Sequence, residues 1–181
     1  MIKNPQLNKD PIKIKRALIS VFDKTGVVEL AKILGEMNIE ILSTGGTAKT
    51  LKDAHINVTD ITEYTNFPEI MNGRVKTINP LVSGGILGLR DEHADEAKSN
   101  KIKWIDLVVC NLYPFSDTIS REDCDEALAL ENVDIGGPTM IRAAAKNLGW
   151  VCVAIDPNDY GVIMDELKTT SKISFSSRQA F

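Results

Sequence analysis

Ala17-Leu-Ile-Ser-Val-Phe22 is a mostly apolar run of the kind that forms a buried strand, and a segment with helical spacing follows it directly. From Thr25 to Met37, apolar residues recur at intervals of three and four positions, as on one face of an α-helix. A strand followed by a helix is the unit from which parallel sheets are built, because the helix returns the chain to the start of the next strand. This stretch therefore predicts an α/β fold.

The same alternation continues through the rest of the chain. Strand-like runs lie at residues 39–42, 58–61, 84–87, 105–110 and 150–155, and helix-like segments at 47–54, 91–100, 122–130, 138–146 and 158–168. The pattern predicts three layers, in which a mostly parallel sheet is covered by helices on both faces. Ligands of such folds bind beyond the carboxyl ends of the strands. The segments that follow strands are therefore the ones to search for functional residues.

Length and composition fit one domain. The 181 residues are 43% hydrophobic, which is enough for a full core. Residues 1–15 contain two prolines and several lysines without periodicity, so we expect a flexible N-terminal arm followed by one domain at residues 16–181. No apolar run approaches the roughly 20 residues that cross a bilayer, and the N-terminal segment lacks the apolar centre of a signal peptide. We therefore expect no membrane contact and a cytoplasmic location.

Charge and cysteine usage argue against several kinds of partner. The formal net charge is −4, so no overall positive field attracts nucleic acid. The three cysteines are far apart, with no Cys-X-X-Cys motif and no Cys/His cluster to hold a metal. We expect a protein without a metal or another cofactor, in which any anion site is local.

Two strand ends carry residues suited to a phosphate. Ser43-Thr-Gly-Gly-Thr47 joins a strand to a helix, where the Gly46 amide, the hydroxyls and the helix N-terminus favour an anion. Ser20 and Lys24, at the end of the first strand, would reach the same group. The alternative is a tight turn in which Thr47 caps the helix, beside a solvated Lys24.

A long polar loop at residues 64–80 contains Gly73-Arg-Val-Lys-Thr77. A loop of this length inside a compact domain is more often functional than idle. In an extended stretch Arg74 and Lys76 lie on one side, where they would meet phosphate or carboxamide oxygens. The alternative is a basic patch that meets only solvent.

The remaining candidates follow the 105–110 strand or flank the 138–146 helix. Asn111 and Tyr113 come directly after the strand, where an amide and a phenol would face a ligand; alternatively, Tyr113 is an edge aromatic. Asp134 precedes the helix and Lys146 ends it. A carboxylate keeps a nearby lysine charged, whereas the alternative gives Asp134 a structural role and makes Lys146 a favourable charge at a helix C-terminus.

Taken together, these segments resemble the inosine monophosphate cyclohydrolase domain, the N-terminal half of a bifunctional purine-biosynthesis enzyme. The resemblance runs in order from residue 17 to residue 181. Each piece alone is common, but the combination is specific. It is carried by Ser20-Val-Phe-Asp-Lys-Thr-Gly26, Leu42-Ser-Thr-Gly-Gly-Thr-Ala-Lys49, Phe67-Pro-Glu-Ile-Met-Asn-Gly-Arg-Val-Lys-Thr77, Asn111-Leu-Tyr-Pro-Phe115, Asp134-Ile-Gly-Gly-Pro138 and Arg142-Ala-Ala-Ala-Lys-Asn147.

The resemblance implies a methylglyoxal-synthase-like α/β fold and the closure of 5-formamidoimidazole-4-carboxamide ribotide to inosine monophosphate with loss of water. We expect a homodimer. The folate-using formyltransferase domain of the family is absent from this chain, and in a longer protein it would be fused to it. The resemblance further implies that the phosphate is held by Ser20, Lys24, Ser43, Gly46, Thr47, Arg74 and Thr77, and that the reacting groups are surrounded by Lys76, Tyr113, Asp134 and Lys146, with Asn111 and Gly137 nearby.

The chain departs from the family where histidines are usual. Asn79 and Ser83 stand in place of two histidines that commonly follow the Lys-Thr pair, and Leu148 replaces a third. Either these imidazoles are dispensable or the activity of this chain is altered.

Two other functions occur on the same fold. A non-catalytic nucleotide-sensing module, like the regulatory domain of carbamoyl phosphate synthetase, would keep the phosphate site without turnover. Methylglyoxal synthase needs a carboxylate base and a histidine beside a triose phosphate. His55 and His93 are the two histidines of the chain, and both lie outside the motifs.

Overall fold

The structure is a computed structural model that describes residues 6–181. Its main sheet has five parallel strands: β2 (Arg16–Ser20), β3 (Glu40–Ser43), β4 (Thr59–Asp60), β5 (Leu107–Cys110) and β6 (Cys152–Ala154). Their order across the sheet is β4-β3-β2-β5-β6. The prediction of a parallel sheet between two helical layers is confirmed.

Alternating strand residues fill two separate cores. Ala17 and Ile19 of β2 pack into one core, and Leu18 between them packs into the other. All three are fully buried, which is why the strand is a continuous apolar run instead of an alternating one.

Helices cover both faces of this sheet. The first core lies under α1 (Val27–Glu36), α2 (Gly45–Asp53) and α9 (Tyr160–Thr170). The second lies under α4 (Pro80–Leu87) and α8 (Gly136–Lys146). The shorter helices are α3 (Ile61–Thr65), α5 (Ala94–Ser99), α6 (Phe115–Ile119), α7 (Glu126–Glu131) and α10 (Phe175–Ala180), and a 3₁₀ turn at Pro157–Asp159 precedes α9.

The strand predicted at residues 84–87 is wrong, because this segment belongs to α4. Asn79 caps the helix by accepting a hydrogen bond from the Leu81 amide at 2.8 Å, and Pro80 occupies the first turn. Val82 and Ile86 then lie one helical turn apart and are buried against α8. The apolar character came from the buried face of a helix instead of from a strand.

The flexible arm predicted for residues 1–15 is wrong for its last part. β1 (Ile12–Lys13) pairs antiparallel with β7 (Lys172–Ile173) in a separate two-stranded sheet. Ile12 and Ile14 are buried in the first core, and the guanidinium of Arg178 donates to the Asp10 carbonyl. An isoleucine at every second position was a strand pattern too short to stand out. Residues 1–5 lie outside the described part of the chain.

Between residues 6 and 181, no helix combines the length and the hydropathy needed to cross a membrane.

Candidate active site

A cleft of about 810 Å³ opens at the carboxyl ends of β2, β3 and β5. One wall is the end of β2 together with the N-terminus of α2. The opposite wall is the segment from the end of α7 to the first turn of α8, and a hairpin at residues 69–77 completes the rim. The position agrees with the rule for open parallel sheets.

The N-terminus of α2 provides free backbone donors to the cleft. The first amide that bonds back along this helix is that of Ala48, which donates to the Thr44 carbonyl at 3.1 Å. The amides of Gly45, Gly46 and Thr47 come before it, so they have no partner further back in the helix. Gly45 has a φ of +48°, a left-handed conformation that glycine adopts without strain. Three amides at the positive end of a helix dipole are the kind of donors that bind anions in other proteins.

Side chains from β2 and its loop surround these amides. The Ser20 hydroxyl lies 3.3 Å from that of Thr44. Lys24 donates from Nζ to the Phe22 carbonyl at 3.0 Å, and its Cε would lie 4.0 Å from a methyl group at Gly46. A hydroxyl and an ammonium group therefore stand beside the helix N-terminus, as the sequence predicted.

Two of the predicted phosphate ligands have structural hydrogen bonds instead. Ser43 is 0% exposed, and its hydroxyl donates to the Ile19 carbonyl at 2.7 Å, so it joins two strands and does not line the cleft. The Thr47 hydroxyl donates to the Val21 carbonyl at 2.9 Å and accepts from the Val21 amide at 3.1 Å. Thr47 thus ties α2 to the end of β2, and only its backbone amide remains for a ligand.

The predicted basic loop contains a tight hairpin. Ile70 and Val75 exchange backbone hydrogen bonds of 3.1 and 3.3 Å, and Met71, Asn72 and Gly73 all have left-handed φ values. The chain reversal turns residues 76 and 77 back into the cleft. Asn-Gly is the dipeptide most typical of such turns, and it was the signal in the sequence that would have predicted this hairpin.

The hairpin brings Lys76 to the start of α2. Its Nζ would lie 3.6 Å from a methyl group at Gly45, and it is 3.4 Å from Oε2 of Glu69. Thr77 lies against the start of α8, where its hydroxyl would lie 2.8 Å from a methyl group at Gly136. Lys76 and Thr77 therefore connect the α2 side of the cleft with the α8 side.

Arg74, at the hairpin tip, bridges the opening of the cleft. Its guanidinium is paired with the carboxylate of Glu131 at the end of α7, and both side chains are exposed. The hydrogen bond to Glu131 and the negative charge of that carboxylate raise the pKa of Arg74 above its ordinary value. Arg74 is thus in the cleft, but its partner in this structure is a carboxylate of the protein.

Asn111 holds two strand ends together. Its Oδ1 accepts from the amides of Phe22 and Asp23 at 2.6 and 3.0 Å, and its Nδ2 donates to the Asp23 carbonyl at 2.9 Å. Tyr113, two residues further on, packs edge-to-face against the Phe22 ring with centroids 5.6 Å apart. Both rings are about half exposed, so an aromatic pair lines the cleft.

Asp134 lines the cleft, but the predicted pairing of Asp134 with Lys146 is wrong. Oδ1 of Asp134 accepts a hydrogen bond of 2.8 Å from the Gly137 amide and so caps α8. Lys146 is the last of the eleven residues of that helix, about 15 Å further along its axis. It is exposed and lies outside the lining of the cleft. Helical spacing put both residues on one helix, but at opposite ends.

The cleft brings together most of the predicted site. Its lining includes Ser20, Lys24, Gly46, Thr47, Arg74, Lys76, Thr77, Asn111, Tyr113, Asp134 and Gly137, and it leaves out Ser43 and Lys146. Asn79, Ser83 and Leu148, which replace family histidines, are also outside it. Sequence reasoning did not single out Glu69, Glu131, Phe22 or Cys110, all of which line the cleft.

Cys110 ends β5 at the floor of the cleft, but its thiol is not activated. Burial raises its pKa to about 12, and the negative charge of Asp134 adds to the effect. A thiol of this kind is not a nucleophile near neutral pH. Across residues 6–181, no group of three or more His, Cys, Asp or Glu residues has the arrangement of a metal site.

The comparisons with known proteins agree with this fold. Residues 26–139 match the MGS-like domain, and the chain therefore belongs to the MGS-like domain family. The chain is similar to the N-terminal part of the bifunctional purine biosynthesis protein PurH of Acetivibrio thermocellus, with 55% identity over 167 residues. The match covers 91% of this chain and 32% of that protein, so the chain spans about a third of its length.

A solved structure is similar over almost the same range. It is the crystal structure of ForH, which has 34% identity and a TM-score of 0.81 to this chain. The similarity covers 91% of this chain and 86% of that one. These matches confirm the family resemblance found in the sequence.

We predict that Gly137→Ala destabilises the protein. The added methyl group would lie 2.5 Å from Cδ2 of Leu112 and 2.8 Å from Oδ2 of Asp134, so the cap of α8 must move. We expect a loss of about 1–3 kcal/mol in the free energy of unfolding, measured in urea. Gly161→Ala in α9 is the control, because nothing lies within 4 Å of its methyl position. Alanine there should stabilise by roughly 0.5–1 kcal/mol, and equal effects of the two changes would contradict the packing described.

We predict that iodoacetamide at pH 8 modifies Cys124 in the folded protein and spares Cys110 and Cys152. Burial raises the pKa of both spared thiols to about 12, so their reactive thiolate is scarce until the pH approaches that value. Peptide mass spectrometry measures the modification of each cysteine, with urea-unfolded protein as the control in which all three react. Labelling of Cys110 in the folded protein as fast as in the unfolded one would be inconsistent with a buried thiol.

Proposed function

We propose that this chain acts in purine biosynthesis and closes 5-formamidoimidazole-4-carboxamide ribotide to inosine monophosphate, with release of water. The observation that carries the proposal is one cleft in which free amides at a helix N-terminus, the ammonium group of Lys76 and the carboxylate of Asp134 face the same space. The similarity to PurH over 91% of the chain supports the same reading.

The phosphate of the ribotide would bind at the start of α2. The amides of Gly45, Gly46 and Thr47 donate to its oxygens, while Ser20 and Lys24 approach from the end of β2. Anchoring the phosphate there extends the ribose and the imidazole ring toward Tyr113 and Asp134. The two reacting groups are neighbours on one ring, so the substrate itself supplies much of the alignment.

The ring closure moves two protons from nitrogen to the departing oxygen. In the first step the carboxamide nitrogen attacks the formyl carbon and loses one proton, while the formyl oxygen gains one and becomes a hydroxyl group. In the second step the nitrogen of the former formamide loses its proton and forms the ring C–N double bond, while the hydroxyl gains a proton and leaves as water. We assign Asp134 as the proton acceptor and Lys76 as the proton donor in both steps, with exchange through solvent returning the two groups to their starting states between the steps.

The charge on the formyl oxygen also needs stabilisation during attack. A preorganised donor at such an oxygen contributes about 3 kcal/mol in enzymes that use one. The Lys76 ammonium and the Tyr113 hydroxyl are the donors that we assign to this role. Lys146 has no part in this scheme, because it lies outside the cleft of a single chain.

The wider context of the chain is also a proposal. The PurH relative is named as bifunctional and is about three times as long, so we propose that in such a protein this unit performs the cyclisation and the remainder transfers the formyl group. A homodimer and a cytoplasmic location stay predictions.

The direct test of the function is an absorbance assay. The purified chain is mixed with the formamido ribotide, and ring closure is followed by the change in ultraviolet absorbance. We expect inosine monophosphate to form faster than in buffer alone. Binding of inosine monophosphate without any product formation would contradict the proposal and favour the nucleotide-sensing module. Such a module keeps the phosphate site but does not require the proton transfers assigned to Lys76 and Asp134.

We predict that Lys76→Ala lowers kcat by about 10²–10⁴ and changes KM much less, because it removes the acid that acts in the transition state. Arg74→Ala is the contrasting variant. Since Arg74 reaches only the rim of the cleft, its loss should mainly raise KM. Steady-state kinetics with the formamido ribotide separate the two effects. A Lys76→Ala enzyme that loses affinity and turnover equally would argue against the role of general acid.

A further inference from the structure

Lys76 stands at a place that repels a positive charge. Its Nζ would lie 3.6 Å from a methyl group at Gly45, the first residue of α2, where the helix dipole is positive. Lys24 approaches the next residue, Gly46. Because like charges repel one another, the long and flexible side chain of Lys76 would turn toward solvent if no negative charge held it.

Glu69 supplies that counter-charge. Its Oε2 lies 3.4 Å from Nζ of Lys76, and within residues 6–181 it is the only carboxylate at ion-pair distance from this lysine. The Lys76 side chain is only 27% exposed although it is charged, which fits a side chain with a fixed position.

The backbone of the hairpin sets the pair in place. Ile70 and Val75 exchange two hydrogen bonds, so Glu69 and Lys76 lie opposite each other just outside that bridge. Gly73, with a φ of +90°, leaves room for the carboxylate, because a methyl group there would lie 2.7 Å from Oε1 of Glu69. The turn and its glycine therefore allow this contact between Glu69 and Lys76.

We infer that Glu69 is a positioning residue: it holds the ammonium group of Lys76 inside the cleft, where the proposed reaction requires a proton donor. The effect of Glu69 on turnover that we infer rests on the proposed function, whereas its effect on ligand binding does not. Glu69 competes with a phosphate group for Lys76, so it lowers the affinity for a phosphorylated ligand while it increases the rate.

These opposite effects distinguish positioning from a structural role. Glu69→Gln removes the charge and keeps the size of the side chain. We expect kcat to fall by about 10–100-fold, the range for a misplaced catalytic group, whereas inosine monophosphate binds more tightly, as measured by isothermal titration calorimetry. An exposed ion pair contributes little to stability, so thermal unfolding should be unchanged.

Three further variants complete the experiment. Glu63→Gln removes the same charge from an exposed position of α3, outside the cleft, and should leave kcat and binding as in the unchanged protein. Glu69→Asp keeps the negative charge. Its affinity for inosine monophosphate should be close to that of the unchanged protein, and its kcat should lie between those of Glu69→Gln and the unchanged protein. In a Lys76→Ala background, Glu69→Gln should have no further effect on kcat, because the two residues act as one unit.

The outcomes separate this inference from the proposed function. Glu69→Gln would overturn the inference if it lowered kcat and weakened binding together, if it left kcat unchanged, or if it behaved like Glu63→Gln. If the unchanged protein forms no product, the proposed function fails and binding alone decides. In that case, Glu69 acts as a counter-charge if Glu69→Gln binds inosine monophosphate more tightly and this gain disappears when Lys76 is also replaced by alanine. If Glu69→Gln does not bind inosine monophosphate more tightly, the inference is overturned.

Discussion

The common direction of the five strands is the constraint on which the cleft depends. Because all of them run parallel, their carboxyl ends meet at one edge of the sheet. The segment after each strand therefore starts at that edge: α2 begins after β3, the loop with Lys24 follows β2, and Asn111 follows β5. Asn111 and Thr47 then join neighbouring segments by side-chain hydrogen bonds, so that the free amides of α2 keep a fixed position relative to the other walls.

Charge inside this cleft is balanced locally, in a chain whose net charge is negative. The helix N-terminus, Lys24, Lys76 and Arg74 provide positive charge, and Glu69 and Glu131 each pair with one of the side chains. A bound phosphate dianion would meet the same positive groups and would compete with both carboxylates. The affinity of the cleft for such a ligand then depends on the difference between the ion pairs that the ligand forms and those that it replaces. When no ligand is bound, Glu69 and Glu131 keep the cationic side chains in place.

Local patterns in the sequence were enough to predict the sheet, most helices and the group of residues at the start of α2. Apolar runs and helical spacing depend on neighbouring residues, and Gly45 and Gly46 mark a strand–helix junction by composition alone. The failures concern geometry that such patterns do not contain. Ser43 has the residue type of a phosphate ligand, but its side chain points between two strands. The Arg74–Glu131 pair joins residues 57 positions apart, which no local pattern reveals.

The central claim is that a ribotide binds with its phosphate at the start of α2. An amide chemical-shift titration of the isotopically labelled chain with inosine monophosphate tests it most directly, because each backbone amide reports separately. We expect the largest shifts at Gly45, Gly46 and Thr47, followed by the hairpin around Lys76. A second groove is lined by Phe22, Ile155, Asp156 and Pro157. Shifts concentrated there, with the α2 amides unchanged, would contradict phosphate binding at the start of α2.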